Sequence, residues 1–88
     1  MPVSVHWSEI AKAVAYKRDL IASDLICICF TTKAGVSIEL NERMIGWQEL
    51  IDGLPAYLGG AKRREEWWDE VALPAFKTNE RVIYEKGP

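Results

Sequence analysis

Apolar and polar residues alternate along residues 36–41 (VSIELN), a period of two that is typical of a strand with one face in water. The preceding segment, residues 25–31 (LICICFT), is apolar or β-branched at every position, which is typical of a central strand covered on both sides, or nearly so. Gly35 lies between the two segments and can adopt the positive φ that a tight turn requires. Together the two segments predict a β-hairpin.

The stretch before this hairpin fits two periods. Four residues lie at helical spacing, and the alanines beside them favour helix: Ile10, Val14, Lys17 and Ile21. Residues 13–18 (AVAYKR) also alternate as a strand would. We favour a turn near Ser8 followed by a strand over residues 13–18, and the pattern leaves open whether residues 7–12 are helical or extended.

A period near 3.6 begins after Gly46. Five apolar residues recur on one face of a helix: Trp47, Leu50, Ile51, Leu54 and Leu58. Pro55 lacks the N–H that would bond to Ile51, so a break or kink is predicted there, followed by a last turn around Tyr57. Gly59-Gly60 is predicted to end the helix.

The remainder predicts one more helix and one more strand. The helix covers residues 62–72 and ends before Pro74, because a proline pushes the residue before it out of the helical region. Residues 81–85 (RVIYE) alternate as a final strand, with Ile83 on the opposite face from its neighbours. The order predicts a single α+β domain, residues 1–88, with an antiparallel sheet of three to four strands (β-β-β-α-α-β) and two helices packed on one face.

Composition and charge narrow the possible functions. The chain is 49% apolar and 27% charged, which predicts a folded domain. Its net charge of −2 argues against a nucleic-acid partner, and the short basic segment 62–64 is followed at once by Glu65 and Glu66. The longest apolar run, residues 25–30, is far below the roughly 20 residues that span a bilayer, and residues 1–7 do not resemble a signal peptide. We therefore predict no membrane partner.

The cysteines give a prediction about location. Cys27 and Cys29 lie two residues apart in a predicted strand, so they point to the same face and cannot form a disulfide without severe distortion. His6 is the only histidine, which leaves too few ligands for a metal site. We interpret both thiols as reduced, buried side chains, which predicts a cytoplasmic location and no cofactor.

A polar segment and a tryptophan pair are the candidate binding residues. The polar cluster comprises Tyr16, Arg18, Asp19 and Asp24. It is interpreted either as a charged sheet edge that blocks strand pairing or as an anchor for an anionic or peptide ligand, with Arg18 pairing with Asp24 or Glu39 across the sheet. Trp67 and Trp68 point about 100° apart on a helix, so either one of them is partly exposed, as aromatics at partner surfaces often are, or the small domain covers both.

Two functional hypotheses follow. A nucleophile with its base and a phosphate-binding loop are both missing from the sequence, which favours a non-enzymatic binding or protein-interaction module. Its partner would be another protein or a second copy of the chain, bound through a sheet edge or the tryptophan-bearing helix. The alternative is a small enzyme or ligand-binding domain that uses the polar cluster around Tyr16, Arg18, Asp19 and Asp24.

Short sequence motifs recur over residues 13–85 in a familiar order. They are YKRDL at 16–20, DLIC at 24–27, Glu42, Met44, GW at 46–47, LP at 54–55, Trp67, and PAF at 74–76 with Asn79. This string resembles a family of short bacterial proteins of unassigned function. The resemblance implies a strand over residues 13–18 and identifies no catalytic residue.

Overall fold

A computed structural model describes residues 6–20, 23–73 and 79–86 of the chain. The elements are a 3-10 turn (Trp7–Glu9), strands β1 (Ile10–Asp19), β2 (Asp24–Thr32) and β3 (Ser37–Asn41), helices α1 (Trp47–Tyr57) and α2 (Arg64–Ala72), and strand β4 (Glu80–Glu85). The strands form one antiparallel sheet in the order β3-β2-β1-β4. This confirms the predicted α+β class and the β-β-β-α-α-β order.

The ambiguous N-terminal stretch resolves into a turn and a strand. The 3-10 turn contains Ser8, as predicted, and β1 begins at Ile10, three residues before the predicted start. Ile10 pairs with Thr32 of β2 and is only 4% exposed, so the longer strand both buries its side chain and pairs its backbone. The prediction that residues 1–7 are not a signal peptide falls largely outside the described residues.

The main core lies between the sheet and the two helices. Its largest side chains come from the helices and from β2, and its members include Ile28, Phe30, Ile51, Leu54, Trp67 and Val71. Ala13 and Ala15 on β1 are completely buried. Because alanine side chains are small, α2 can pack closely on β1 and β4 at these positions. The alanines favour helix by intrinsic propensity, but here they lie in a strand and let a helix approach the sheet closely.

Helix α1 continues through Pro55 to Tyr57, so of the predicted break or kink at this proline the structure excludes the break. The missing N–H of Pro55 removes one bond, but the Leu58 N–H still bonds to the Leu54 carbonyl at 2.8 Å. The helix then ends, with Leu58 extended and Gly60 at a φ of 90°, as the glycine pair predicts.

Helix α2 ends where it was predicted to end. Leu73, the residue before Pro74, is extended, although Pro74 itself lies outside the described residues. The helix begins at Arg64, two residues later than predicted. The N–H of Lys62 instead donates to the carbonyl of Ile83 on β4 at 2.9 Å, which holds this residue outside the helix.

Strand β4 contains a bulge that the sequence pattern does not reveal. Ala13 pairs with Tyr84, whereas Val14 pairs with Val82, so Ile83 is an extra residue. Ile83 is only 2% exposed, and Tyr84 also packs against the core. The predicted simple alternation is therefore wrong here, because a bulge turns two successive side chains toward the same side.

Candidate interaction surface

The two faces of the sheet have different surroundings. Ala13, Ala15 and Lys17 alternate on the side of β1 that faces the core, and residues between them point to the other side. In the part of the chain that the structure describes, both helices bury their side chains on the core side. We call the other side the helix-free face. By strand register its residues are Lys12, Val14, Tyr16, Arg18, Leu25, Cys27, Cys29, Thr31, Ser37, Glu39, Asn41, Glu80, Val82 and Glu85.

An apolar band crosses the middle of the helix-free face. Val82, Val14 and Cys29 pair in one row over β4, β1 and β2. Val82 is 41% exposed, while Val14 and Cys29 are half-buried. Leu25 and Cys27 on this face are buried but do not belong to the main core. The side chains of β2 are buried or half-buried on both faces of the strand, as predicted. Among the described residues, however, helices cover only one of these faces.

A polar cluster lies beside this band. The Tyr16 hydroxyl donates to the Glu39 carboxylate, and the Arg18 guanidinium donates to the same Glu39 oxygen at 2.8 Å. Tyr16 and Arg18 are on β1 and Glu39 is on β3, so both bonds cross β2. Of the two predicted partners of Arg18, the structure therefore selects Glu39. Cys27 pairs with Tyr16 across the strands and is completely buried near this bridge.

The two thiols have different environments. Burial raises the pKa of the Cys27 thiol, and this effect exceeds the opposing influence of the Arg18 charge; the Glu42 carboxylate raises the pKa further. Cys27 also lies 3.7 Å from the Leu25 carbonyl, to which its Sγ donates. Cys29 is only half-buried. Cys29 is thus the accessible thiol, whereas Cys27 is held neutral inside the sheet.

We expect this difference to appear in the pH dependence of stability. In the unfolded chain Cys27 ionises near the ordinary thiol pKa, but in the folded protein it ionises only at higher pH. Its contribution to stability is therefore present below the ordinary pKa and is lost as the pH rises through the raised, folded-state value. Urea denaturation from neutral to alkaline pH should show a decline in the free energy of unfolding that is smaller for Cys27→Ala. Cys29→Ala is the control and should show the same decline as the wild type. An equal decline in the wild type and in Cys27→Ala would contradict the raised pKa of Cys27.

The sequence-predicted polar cluster is divided between the two sides of the sheet. Tyr16 and Arg18 lie on the helix-free face. Asp24 lies on the core side, where its Oδ2 is 3.6 Å from Nζ of Lys17. The side chain of Asp19 lies outside what the structure describes. The structure thus brings Tyr16 and Arg18 together with Glu39 and places Asp24 with Lys17.

Lys17 is a residue of structural importance that was not among the candidates. Its side chain is 1% exposed, and its Nζ donates to the carbonyl of Ala72 at 2.9 Å. Ala72 is the last residue of α2, whose final carbonyls lack partners within the helix. A buried ammonium there complements the negative end of the helix dipole. The signal was available, because Lys17 shares the strand parity of the buried Ala13 and Ala15.

The tryptophan pair lies on the other side of the sheet. Trp67 is 1% exposed in the core, whereas Trp68 is half-buried, so of the two alternatives the structure selects partial exposure of one tryptophan. The Arg64 guanidinium lies 5.5 Å from the centre of the Trp68 ring, a cation–π distance. Trp68 is therefore partly covered by its own helix, which makes it a smaller contact surface than the helix-free face.

An open cleft of about 460 Å³ lies between the end of α1 and the start of α2. It is lined by Asp52, Pro55, Ala56, Arg63, Arg64 and Glu65. Arg64 and Asp52 approach to 3.9 Å, so charges of both signs face the same space. This mixture gives no single-sign field of the kind that attracts a nucleic-acid backbone.

Among the described residues, no three histidine, cysteine, aspartate or glutamate side chains come together to hold a metal ion. Neither α1 nor α2 has the length and apolar character needed to cross a membrane. Comparison with protein-family models, curated proteins and solved structures gave no match to this chain. The resemblance to a family of short bacterial proteins therefore stays a prediction.

Proposed function

We propose that the protein is a non-enzymatic protein-interaction module that binds its partner through the helix-free face. The apolar band of Val82, Val14 and Cys29 carries this proposal. An antiparallel sheet with one solvated face normally presents polar side chains there. The middle row of this sheet instead presents Val82, Val14 and Cys29, and burial of their exposed apolar area against a partner is favourable by about 25 cal/mol per Å².

The polar groups around the band also suit an interface. Lys12 and Glu85 lie 3.7 Å apart on one side of it, and Arg18 and Glu39 form a bonded pair on the other. Protein interfaces commonly have an apolar centre and a polar rim that remains in contact with water. The helix-free face therefore has the arrangement of an interface, with four of its five charged groups already paired.

The hypothesis of a small enzyme or ligand-binding domain receives less support from the geometry. It requires one ligand to contact Tyr16, Arg18 and Asp24 together. Tyr16 and Arg18 are on the helix-free face, whereas Asp24 pairs with the buried Lys17 on the core side. The bonds from Tyr16 and Arg18 to Glu39 instead stabilise the surface beside the apolar band.

The location and partner belong to the same proposal. Cys27 and Cys29 are both free thiols, which supports a reducing compartment, and we assign the protein to the cytoplasm. The partner is a protein surface with an apolar centre, either another protein or a second copy of this chain.

Val82→Lys tests the proposal directly. Val82 is exposed at the sheet edge, so the lysine should leave the fold intact while placing a charge in the apolar band. We expect at least a tenfold loss of affinity, equivalent to about 1.4 kcal/mol, for whatever associates with the wild-type chain. Affinity capture with mass spectrometry, together with light scattering for self-association, provides the measurement.

Val36→Lys is the matched control for this experiment. Val36 is 56% exposed in the β2–β3 connection and lies outside the helix-free face, so the same substitution there should leave association unchanged. Association that survives Val82→Lys, or that is lost equally in Val36→Lys, would refute the assignment of this face.

A further inference from the structure

We infer that the partner of the helix-free face is a second copy of this chain, packed face to face in a two-fold symmetric dimer. This inference rests on the proposed interaction function and adds the identity of the partner. A two-fold contact requires a surface that is complementary to itself. Three features of the helix-free face meet this requirement: its charge balance, its depth and its area.

The charges of the helix-free face are mixed and nearly balanced. It carries two cations and three carboxylates, a net charge of −1: Lys12, Arg18, Glu39, Glu80 and Glu85. Lys12 is already near Glu85, and Arg18 is bonded to Glu39. A strongly charged partner would gain little from such a surface, while a second copy would meet little repulsion. The charge balance is thus compatible with self-association, because two copies of this face would repel each other little.

The centre of the face is shallow enough for another sheet. Val14, Cys29 and Thr31 are short side chains on the two central strands. Sheets that pack face to face stand about 10 Å apart, a distance that short apolar side chains from both sheets can fill. The dimer would therefore be a four-layer arrangement, with helices outside and two sheets inside.

The area predicts a weak dimer. Four strands spaced about 4.8 Å apart, with about seven residues of about 3.4 Å each, give a footprint of about 450 Å² per copy. Two copies would bury about 900 Å² in total, which is below the area of about 1,200–2,000 Å² of stable specific interfaces and lies in the range of weak, reversible ones. Association should therefore depend on protein concentration in the micromolar to millimolar range.

Cys29 provides a direct probe of this geometry. It lies on a central strand in the middle row of the face, so a two-fold axis through the centre brings the two copies of Cys29 close together. We expect a short bismaleimide to crosslink the wild-type dimer through Cys29. Cys29→Ser should abolish this crosslink, and Cys27→Ser should retain it, because Cys27 is buried within each sheet.

Analytical ultracentrifugation between about 10 μM and about 1 mM tests the dimer itself. The wild type should shift from monomer to dimer across this range. Val14→Lys should remain monomeric, and Val36→Lys should behave as wild type, with circular dichroism used to verify folding. If Val14→Lys does not fold, Val82→Lys at the exposed edge replaces it.

The possible outcomes separate this inference from the proposed function. A wild-type chain that stays monomeric at about 1 mM, while Val82→Lys still abolishes capture of a different protein, would overturn the dimer but not the interaction surface. A dimer that persists in both Val14→Lys and Val82→Lys would overturn the assignment of the face to either role. If the wild type forms the Cys29 crosslink and both variants lose the dimer, the inference is supported.

Discussion

Lys17→Ala is expected to lower the free energy of unfolding by about 3–5 kcal/mol, the range found when one partner of a buried ion pair is removed. The Lys17 side chain is 1% exposed, lies 3.6 Å from Asp24 and donates to the Ala72 carbonyl at 2.9 Å. Its loss takes the ammonium away from a carboxylate and from the last carbonyl of α2, and it leaves a cavity where the aliphatic stem packed. Urea denaturation followed by tryptophan fluorescence measures the change.

Two further variants identify the cause. Lys17→Met keeps most of the side-chain volume but removes the charge, so the difference between the methionine and alanine variants measures the packing contribution alone. Lys12→Ala is the control, because Lys12 is on the same strand but its side chain is 43% exposed. Its Nζ lies 3.7 Å from Glu85, and such exposed ion pairs contribute at most about 1 kcal/mol. Equal effects of Lys17→Ala and Lys12→Ala would show that burial of Lys17 is not stabilising α2.

Trp67→Ala is expected to cost about 3–5 kcal/mol, as is usual when a large buried aromatic is truncated. Trp67 is 1% exposed and belongs to the main core. Its indole N–H has no hydrogen-bond acceptor among the described residues, so its contribution comes from packing. Trp67→Phe should therefore retain more stability than Trp67→Ala.

The neighbouring Trp68 provides the comparison within the same helix. Trp68 is half-buried and contacts Arg64 and the Trp67 ring, whose centre is 5.6 Å away. Trp68→Ala should cost less than about 1.5 kcal/mol. Thermal unfolding of both variants measures the contrast. A larger loss for Trp68→Ala than for Trp67→Ala would contradict the assignment of Trp67 to the core.

Local patterns in the sequence were sufficient to predict the fold. The alternation of residues 36–41, the uniformly apolar β2 and the 3.6-residue stripe of α1 each depend on neighbouring residues, so they can be read from the chain itself. The bulge at Ile83 was not predicted, and the pattern at Pro55 did not decide between a break and a kink. Both depend on long-range packing, which supplies enough burial to override the local preference.

The candidate site was predicted less well. Tyr16 and Arg18 were identified, and Glu39 was named as a partner of Arg18, because strand parity places residues on one face. Asp24 was grouped with them because it is close in sequence, but strand parity puts it on the core side with Lys17. Burial of a lysine is rare, so composition alone favours an exposed Lys17. Strand parity with Ala13 and Ala15 nevertheless indicates the core side for Lys17, and the α2 carboxyl end supplies the acceptor that its buried ammonium needs.

The position of β4 at the edge of the sheet has a consequence for the order of folding. Only four residues separate β1 from β2 and four separate β2 from β3, whereas about 60 residues separate β1 from β4. Closing such a loop costs about 2.4 kcal/mol more entropy than closing a four-residue turn. We therefore expect the three-stranded meander to form early and β4 to dock last. Until it docks, the outer edge of β1 is an unpaired strand, open to the β4 segment of a neighbouring chain and hence to strand exchange.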